Sequence, residues 1–307
     1  MSPTHSFEFT PARFLRDLAT TADAIGANYS ESTTQAVLEA YSDSFRESAV
    51  LWRTTDRPGD ALNYRFYERR PTNTVNIAIK AGLLDNDNKM AQLLSSWSSL
   101  YPGASTELCD FDATSGIAKT WVYLGDIRPV EDILGAPGVP ETIRKHASAF
   151  HDLGLVNVRH VAVDYQHETA NLYFRVSTPI TQSHCEQVMS LVGGGTVRDS
   201  TYKDMARFTP PSGFTFSVTV SPEDGEITRI AFYALKLPTG QFPAISERLT
   251  MFFTAAPSLD DEEMNAVAWS FGPNGKTYVK AERSYCGRLV RLMQEWGSPM
   301  TAGDEHR

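Results

Sequence analysis

Four cations recur at matching positions of short, strand-like segments: Arg65 in LNYRFYER, Lys119 in GIAKTWVYL, Arg229 in ITRIAFYAL and Lys280 in TYVKAER. Side chains alternate across a strand. One face of these segments therefore carries Asn63, Arg65 and Tyr67; Lys119, Trp121 and Tyr123; Arg229, Ala231 and Tyr233; Tyr278, Lys280 and Glu282. A fifth segment, VAVDYQHETANLYFRV, adds Asn171, Tyr173 and Arg175. A half-buried strand ordinarily turns small polar residues to water, whereas this face mixes charge with large rings, as an enclosed wet surface would. Several fixed cations suit a diphosphate, whose charge they neutralise, and Asn171 adds a neutral donor. Trp121, Tyr173, Tyr233 and Tyr278 could wall an apolar chain and shield a carbocation, an interaction of about 0.5 to 2 kcal/mol per ring. Any one Lys or Arg could instead sit in water at a rim, and the rings could serve core packing alone. Four cations at equivalent positions argue for a shared ligand.

The segments must be positioned by a repeating frame. Helical periodicity runs over Pro11–Ile25 and Ser32–Phe45, then gives way to period two at Val50–Thr54 and Leu62–Arg69 around Asp56-Arg57-Pro58-Gly59-Asp60. The pattern repeats with helices at Asn73–Leu84 and Asn88–Leu100 before strands Ser105–Phe111 and Gly116–Leu124. Helices at Val130–Leu134 and Pro140–Leu153 precede a hairpin that starts near Val156 and turns at Gln166-His167-Glu168-Thr169. Helices at Gln182–Leu191 and Ser200–Met205 precede Thr215–Val220 and Ile227–Leu235. Helices at Ala244–Phe253 and Asp260–Met264 precede Ala266–Phe271 and Thr277–Arg283. A final helix spans Tyr285–Trp296, and Met300–Arg307 reads as a disordered tail. Hairpins thus return about every 50 to 57 residues. Hairpin strands pair antiparallel, and ten of them can close, which removes exposed edges. The predicted class is α+β: a ten-stranded antiparallel β-barrel with a solvated lumen, surrounded by α-helices in five ααββ repeats. The chain reads as one domain over 1–307, with an ordered core of about 11–297.

Bulk properties narrow the partners. At 307 residues, 41% apolar and a net charge of -9, the chain can bury a large core but lacks the basic surface that nucleic acid requires. Cys109, Cys185 and Cys286 are isolated and fit structural thiols in a reducing cytosol. The start, MSPTHSFEFTPARF, has no apolar run, and no stretch approaches the roughly 20 apolar residues of a membrane span. A cytoplasmic monomer without a membrane partner is expected. The seven histidines lack zinc spacing. SLVGGG lacks dinucleotide-loop spacing, and Asp260–Glu263 reads as a solvated helix start rather than a metal motif.

Taken together, VDYQHETANLYF, GIAKTWVYL, GEITRIAFYAL and TYVKAERSY resemble the aromatic prenyltransferases of the ABBA, or PT-barrel, family, from about Phe14 to Trp296. The segment from Asp164 to Phe174 is the most specific piece. The resemblance implies the same barrel of five ααββ units. It implies diphosphate binding by Lys119, Arg229 and Lys280 with Asn171 and Tyr173, and a prenyl-walling role for Trp121. Arg65 resembles the basic residue of metal-independent members, and Asn63 stands where the magnesium-dependent branch has an aspartate. Glu282 resembles the acidic residue of the phenazine and 4-hydroxyphenylpyruvate branch. Thr219 replaces a tyrosine of the naphthalene-prenylating branch, and His167 stands where some members have lysine.

The expectation is transfer of a dimethylallyl group from dimethylallyl diphosphate to a small electron-rich aromatic acceptor: a phenazine, a hydroxyphenylpyruvate-like phenol or a dihydroxynaphthalene. No metal or other cofactor is expected. Glu282 is the candidate catalytic residue. Arg65, Lys119, Asn171, Tyr173, Arg229 and Lys280 are the diphosphate set, and Trp121, Tyr233, Ser217 and Tyr278 the prenyl and acceptor pocket. A non-catalytic carrier of an aromatic metabolite and a plain diphosphate hydrolase are the rival readings.

Overall fold

Period-two segments separated by turns become ten antiparallel staves in the computed structural model, which describes residues 9–300. They are β1 (Ala49–Thr55), β2 (Asn63–Tyr67), β3 (Thr106–Asp112), β4 (Gly116–Pro129), β5 (Asn157–Asp164), β6 (Thr169–Val176), β7 (Phe214–Val220), β8 (Ile227–Ala234), β9 (Asn265–Phe271) and β10 (Thr277–Cys286). Each stave pairs with its sequence neighbours, and β1 pairs with β10 to close the barrel. No barrel edge is left open, as the strand count implied.

The outward face of the barrel is apolar and the helices cover it. Pro11–Ile25 forms α1, which starts on proline and stops at Gly26 in the left-handed region, φ 63°. Phe14 of α1 lies flat on Trp52 of β1 at 4.7 Å, and Tyr285 meets both rings edge-on. Burying each such ring contributes about 1.5–3 kcal/mol. All three cysteines are buried free thiols.

Several boundaries differ from expectation. The predicted helix over Ser32–Phe45 breaks at Tyr41 into α2 (Glu31–Ala40) and α3 (Ser42–Glu47). The one over Pro140–Leu153 divides into Glu141–Arg144 and Ala147–Asp152. The central hairpin turns over 165–168, one residue early, with Glu168 at φ 48°.

The fifth repeat departs most. Glu247–Ala255 is its one helix, which packs beside α1 and closes the helical ring, and Asp260–Met264 is irregular. The Asp260 carboxylate instead accepts the backbone N–H groups of Arg288 (2.7 Å) and Leu289 (3.2 Å), capping a different helix. That closing helix covers only Leu289–Glu295, because Tyr285 and Cys286 continue β10. Gly287 (φ 92°) makes the corner, where a Cβ would strike the Ser48 carbonyl. Met300 bridges to Leu235, and the rest of the expected tail, 301–307, lies outside the described residues.

Candidate active site

The lumen has two chambers. The outer one opens at the hairpin-turn end and is lined by Arg57, Asn63, Asp164, Arg229 and Tyr278 among others. The narrower inner one is lined by Tyr67, Trp121, Tyr173, Tyr233, Glu282 and His160, and Met293 and Ser298 at its far end come from and just beyond the closing helix. Arg53, Lys119 and Lys280 line both chambers and form a cationic waist.

Alternation along the second strands places the predicted residues. Lys119 donates to Asn171 Oδ1 at 2.7 Å and lies 3.9 Å from Asp164. The amide of Asn171 keeps a buried Nδ2 with no partner, as does Arg229 with its Nε. Arg229 donates to the Tyr278 hydroxyl at 3.1 Å, so Tyr278 stands at the polar mouth and not in the inner chamber. Trp121 Nε1 donates to the Tyr173 hydroxyl at 2.7 Å, and the Tyr173 ring is 5.8 Å from Tyr233. Ser217 lies on the lumen face of β7 between Thr215 and Thr219, buried within hydrogen-bond reach of the Tyr233 hydroxyl (3.2 Å). Thr219 faces Asn171 at 3.5 Å. His167 is exposed at the turn, 3.0 Å from Asp164. Arg175 turns to the carbonyls of Val176, Ser212 and Phe214 at the barrel end.

Two residues of β1 and β3 complete the cationic wall. Asp110, fully buried, lies 2.8 Å from Arg53 and 3.4 Å from Arg65. Arg65 also stands 3.4 Å from Glu282 and stacks over the Trp121 ring at 3.9 Å. Arg53 and Asp110 escape a reading that aligns only the second strand of each hairpin. Antiparallel register sets Arg53 opposite Asn63 and Asp110 opposite Arg65, so pairing the first strands as well would have found them.

Burial, reinforced by the neighbouring arginines, holds the Lys280 ammonium well below its usual pKa. Lys119 is likewise held low, by burial and by Arg229 and Lys280, with Asp164 opposing. Burial alone would raise Asp164, but the His167 hydrogen bond and the charge of Lys119 hold its carboxyl below the usual range. Lysines and arginines thus outnumber carboxylates around the two chambers, eight to five: Arg57, Arg159 and Lys276 join Arg53, Arg65, Lys119, Arg229 and Lys280, and Asp60 and Asp112 join Asp110, Asp164 and Glu282. Such a wall is preorganised for a polyanion.

On β5 the ladder shifts register between Val158 and His160. The bulge sends two consecutive residues, Arg159 and His160, to the inner chamber. The break in alternation at VRHV is the sequence signal for it.

A closed ten-stranded barrel ringed by helices, with a cationic waist above an aromatic chamber, is the architecture of the PT-barrel prenyltransferases. Residues 9–297 match the family model Aromatic prenyltransferase Orf2, and the chain belongs to that family of aromatic prenyltransferases. An "Aromatic prenyltransferase" of Sclerotinia sclerotiorum is 51% identical over 300 residues, 96% of this chain and 97% of the relative. The "4-hydroxyphenylpyruvate 3-dimethylallyltransferase" of Streptomyces niveus is 41% identical over 289 residues, 94% and 89% of the two chains. The solved structure of prenyltransferase PriB with L-tryptophan and dimethylallyl thiolodiphosphate shares the fold at TM-score 0.56 and 10% identity, over 96% of this chain and 98% of that one.

Proposed function

We propose that this aromatic prenyltransferase moves a dimethylallyl group from dimethylallyl diphosphate to an electron-rich phenolic or related ring without a metal ion. The observation that carries the reading is the cationic waist, whose Lys119, Arg53 and Lys280 border both chambers. A diphosphate held there would leave its prenyl chain in the aromatic chamber.

The donor's carbon–oxygen bond breaks and diphosphate leaves with the electron pair, its charge met by Lys119, Arg229, Lys280, Arg53 and Arg65. The allyl cation lies among the rings of Trp121, Tyr173 and Tyr233. These rings tolerate positive charge: Trp121 carries the Arg65 guanidinium at 3.9 Å. Glu282 opens on the same chamber and orients the acceptor by accepting its O–H or N–H. The enclosing barrel keeps water from capturing the cation.

Charge compensation by the protein supports independence from magnesium. Asn63 is a poor magnesium ligand compared with a carboxylate. Nearby, Asp110 is paired to two arginines, and Asp112 accepts the Thr114 and Ser115 N–H groups of its turn. The 41% identity to a 4-hydroxyphenylpyruvate dimethylallyltransferase supports a dimethylallyl donor and a phenolic acceptor.

Incubation with dimethylallyl diphosphate and a panel of phenols, dihydroxynaphthalenes and phenazines tests the reading. Prenylated product with matching diphosphate release is expected. Binding of aromatics without turnover would make the chain a carrier, and diphosphate release independent of acceptor would make it a hydrolase.

A further inference from the structure

We infer that His160 is the base that removes the ring proton of the acceptor after prenylation, an assignment that rests on the functional reading above.

Three observations lead there. His160 follows Asp164 and Ala162 on the lumen face of β5 and faces the inner chamber, opposite Tyr173 on one neighbouring strand and Tyr123 on the other, and the bulge brings Arg159 to the same side. Its ring packs against Tyr123 at 5.2 Å, Trp296 at 5.9 Å and, edge-on, Tyr173 at 6.2 Å. Among the described residues neither ring nitrogen has a protein hydrogen-bond partner. The side chain is only partly buried, so these nitrogens are open to a ligand in the chamber.

The other chamber groups are committed elsewhere. Glu282 is paired with Arg65, and the two lysines belong to the waist that meets the diphosphate. The Tyr173 phenol is held protonated by burial beside Tyr233. The imidazole, by contrast, is kept neutral by burial and by the charges of Arg159 and Arg65, so a lone pair is available.

The reaction contains two distinct protons. A hydroxyl or N–H proton faces Glu282, while the attacked ring carbon carries its own hydrogen. Once ring π electrons have formed the new carbon–carbon bond, that carbon–hydrogen bond breaks. Its electron pair restores the aromatic ring, and the proton passes to the free nitrogen of His160. A ring cation at this stage is so strong an acid that a weak, uncharged base suffices. A base fixed at the chamber wall takes that proton without admitting water to the allyl cation.

The test uses His160→Phe, which keeps an aromatic ring against Tyr123 and Trp296 but has no lone pair, and His160→Asn as a second variant. Turnover is measured with dimethylallyl diphosphate and 4-hydroxyphenylpyruvate, unlabelled or deuterated at both ring carbons next to the hydroxyl-bearing carbon. The same pair of measurements is made with 1,6-dihydroxynaphthalene and its ring-deuterated form. The wild type is expected to react at the same rate with either label, because proton loss is fast. Both variants should bind dimethylallyl thiolodiphosphate as the wild type does, turn over at least about tenfold more slowly, and acquire a deuterium isotope effect of about two or more. Wild-type turnover in His160→Phe, or a loss of turnover with no isotope effect, would reduce His160 to packing and overturn the assignment. A wild type that prenylates no acceptor would instead overturn the functional reading, a failure visible before any variant is made.

Discussion

The guanidinium of Arg65 lies 3.9 Å from the centre of the Trp121 ring. A cation thus already rests on the ring to which the reaction would bring a second one. The indole N–H is meanwhile spent on the Tyr173 hydroxyl at 2.7 Å. Trp121→Phe keeps a ring face and loses that hydrogen bond; Trp121→Leu loses both. If the face stabilises the allyl cation by about 0.5–2 kcal/mol, the Leu variant should be about 2- to 30-fold slower than the Phe variant. Equal rates for Phe and Leu, with unchanged donor affinity, would assign Trp121 to packing.

Lys119 and Arg229 meet the outer chamber from opposite sides of Asn171 and Thr219. Replacing either by Ala removes a charge-assisted contact worth about 1.5–3 kcal/mol, so donor affinity should fall about 10- to 150-fold. Calorimetric titration with dimethylallyl thiolodiphosphate measures this. Unchanged affinity in both variants would move the diphosphate elsewhere.

Lys119 and Lys280 are both held below the usual lysine pKa, chiefly by burial and then by neighbouring cations. In the empty protein they bind fewer protons than free lysines would. A bound polyanion favours their charged forms and raises both pKa values, so donor binding should take up protons. At pH 8 the terminal phosphate of the analogue is already ionised, so the uptake reports the protein. Titration in buffers of different ionisation enthalpy should give positive uptake, reduced in Lys280→Met. Zero uptake or proton release would mean that these ammonium groups do not face the ligand.

Glu282 stands 3.4 Å from Arg65 and on the same strand face as Lys280, while still lining the inner chamber. Glu282→Gln retains shape and loses the charge. Turnover should drop at least about tenfold while the unfolding midpoint shifts by only a few degrees. A Gln variant with full turnover would leave Glu282 as a salt-bridge partner alone.

Arg53 and Arg65 flank Asp110, and Asn63 lies opposite Arg53 in the ladder. With permanent charge supplied by the arginines, activity should be complete in excess EDTA and gain little from added magnesium. Activity abolished by EDTA and restored by magnesium would require a metal ligand, with Asp112 or Glu282 the carboxylates to mutate first.

The sequence by itself determined the staves, the turns between them and the two faces of each second strand. The period-two side-chain rule is local, so Asn63, Arg65 and Tyr67 had to share a face wherever the strand lay. The same rule put Lys119 with Trp121 and Lys280 with Glu282, and the number of hairpins made closure the economical way to hide edges. Other features depend on how distant segments meet. Asp110 finds Arg53 and Arg65 only through the register between β1, β2 and β3. Asp260 gives up its expected helix because two N–H groups 28 and 29 residues later need a cap. Tyr278 falls at the mouth, and Ser217 comes to lie beneath the Tyr233 hydroxyl, because depth in a barrel is set by stagger between staves, which alternation cannot reveal. Arg159 joins His160 in the chamber because one bulge shifts the register beyond His160, and that shift exists only against the strands on either side.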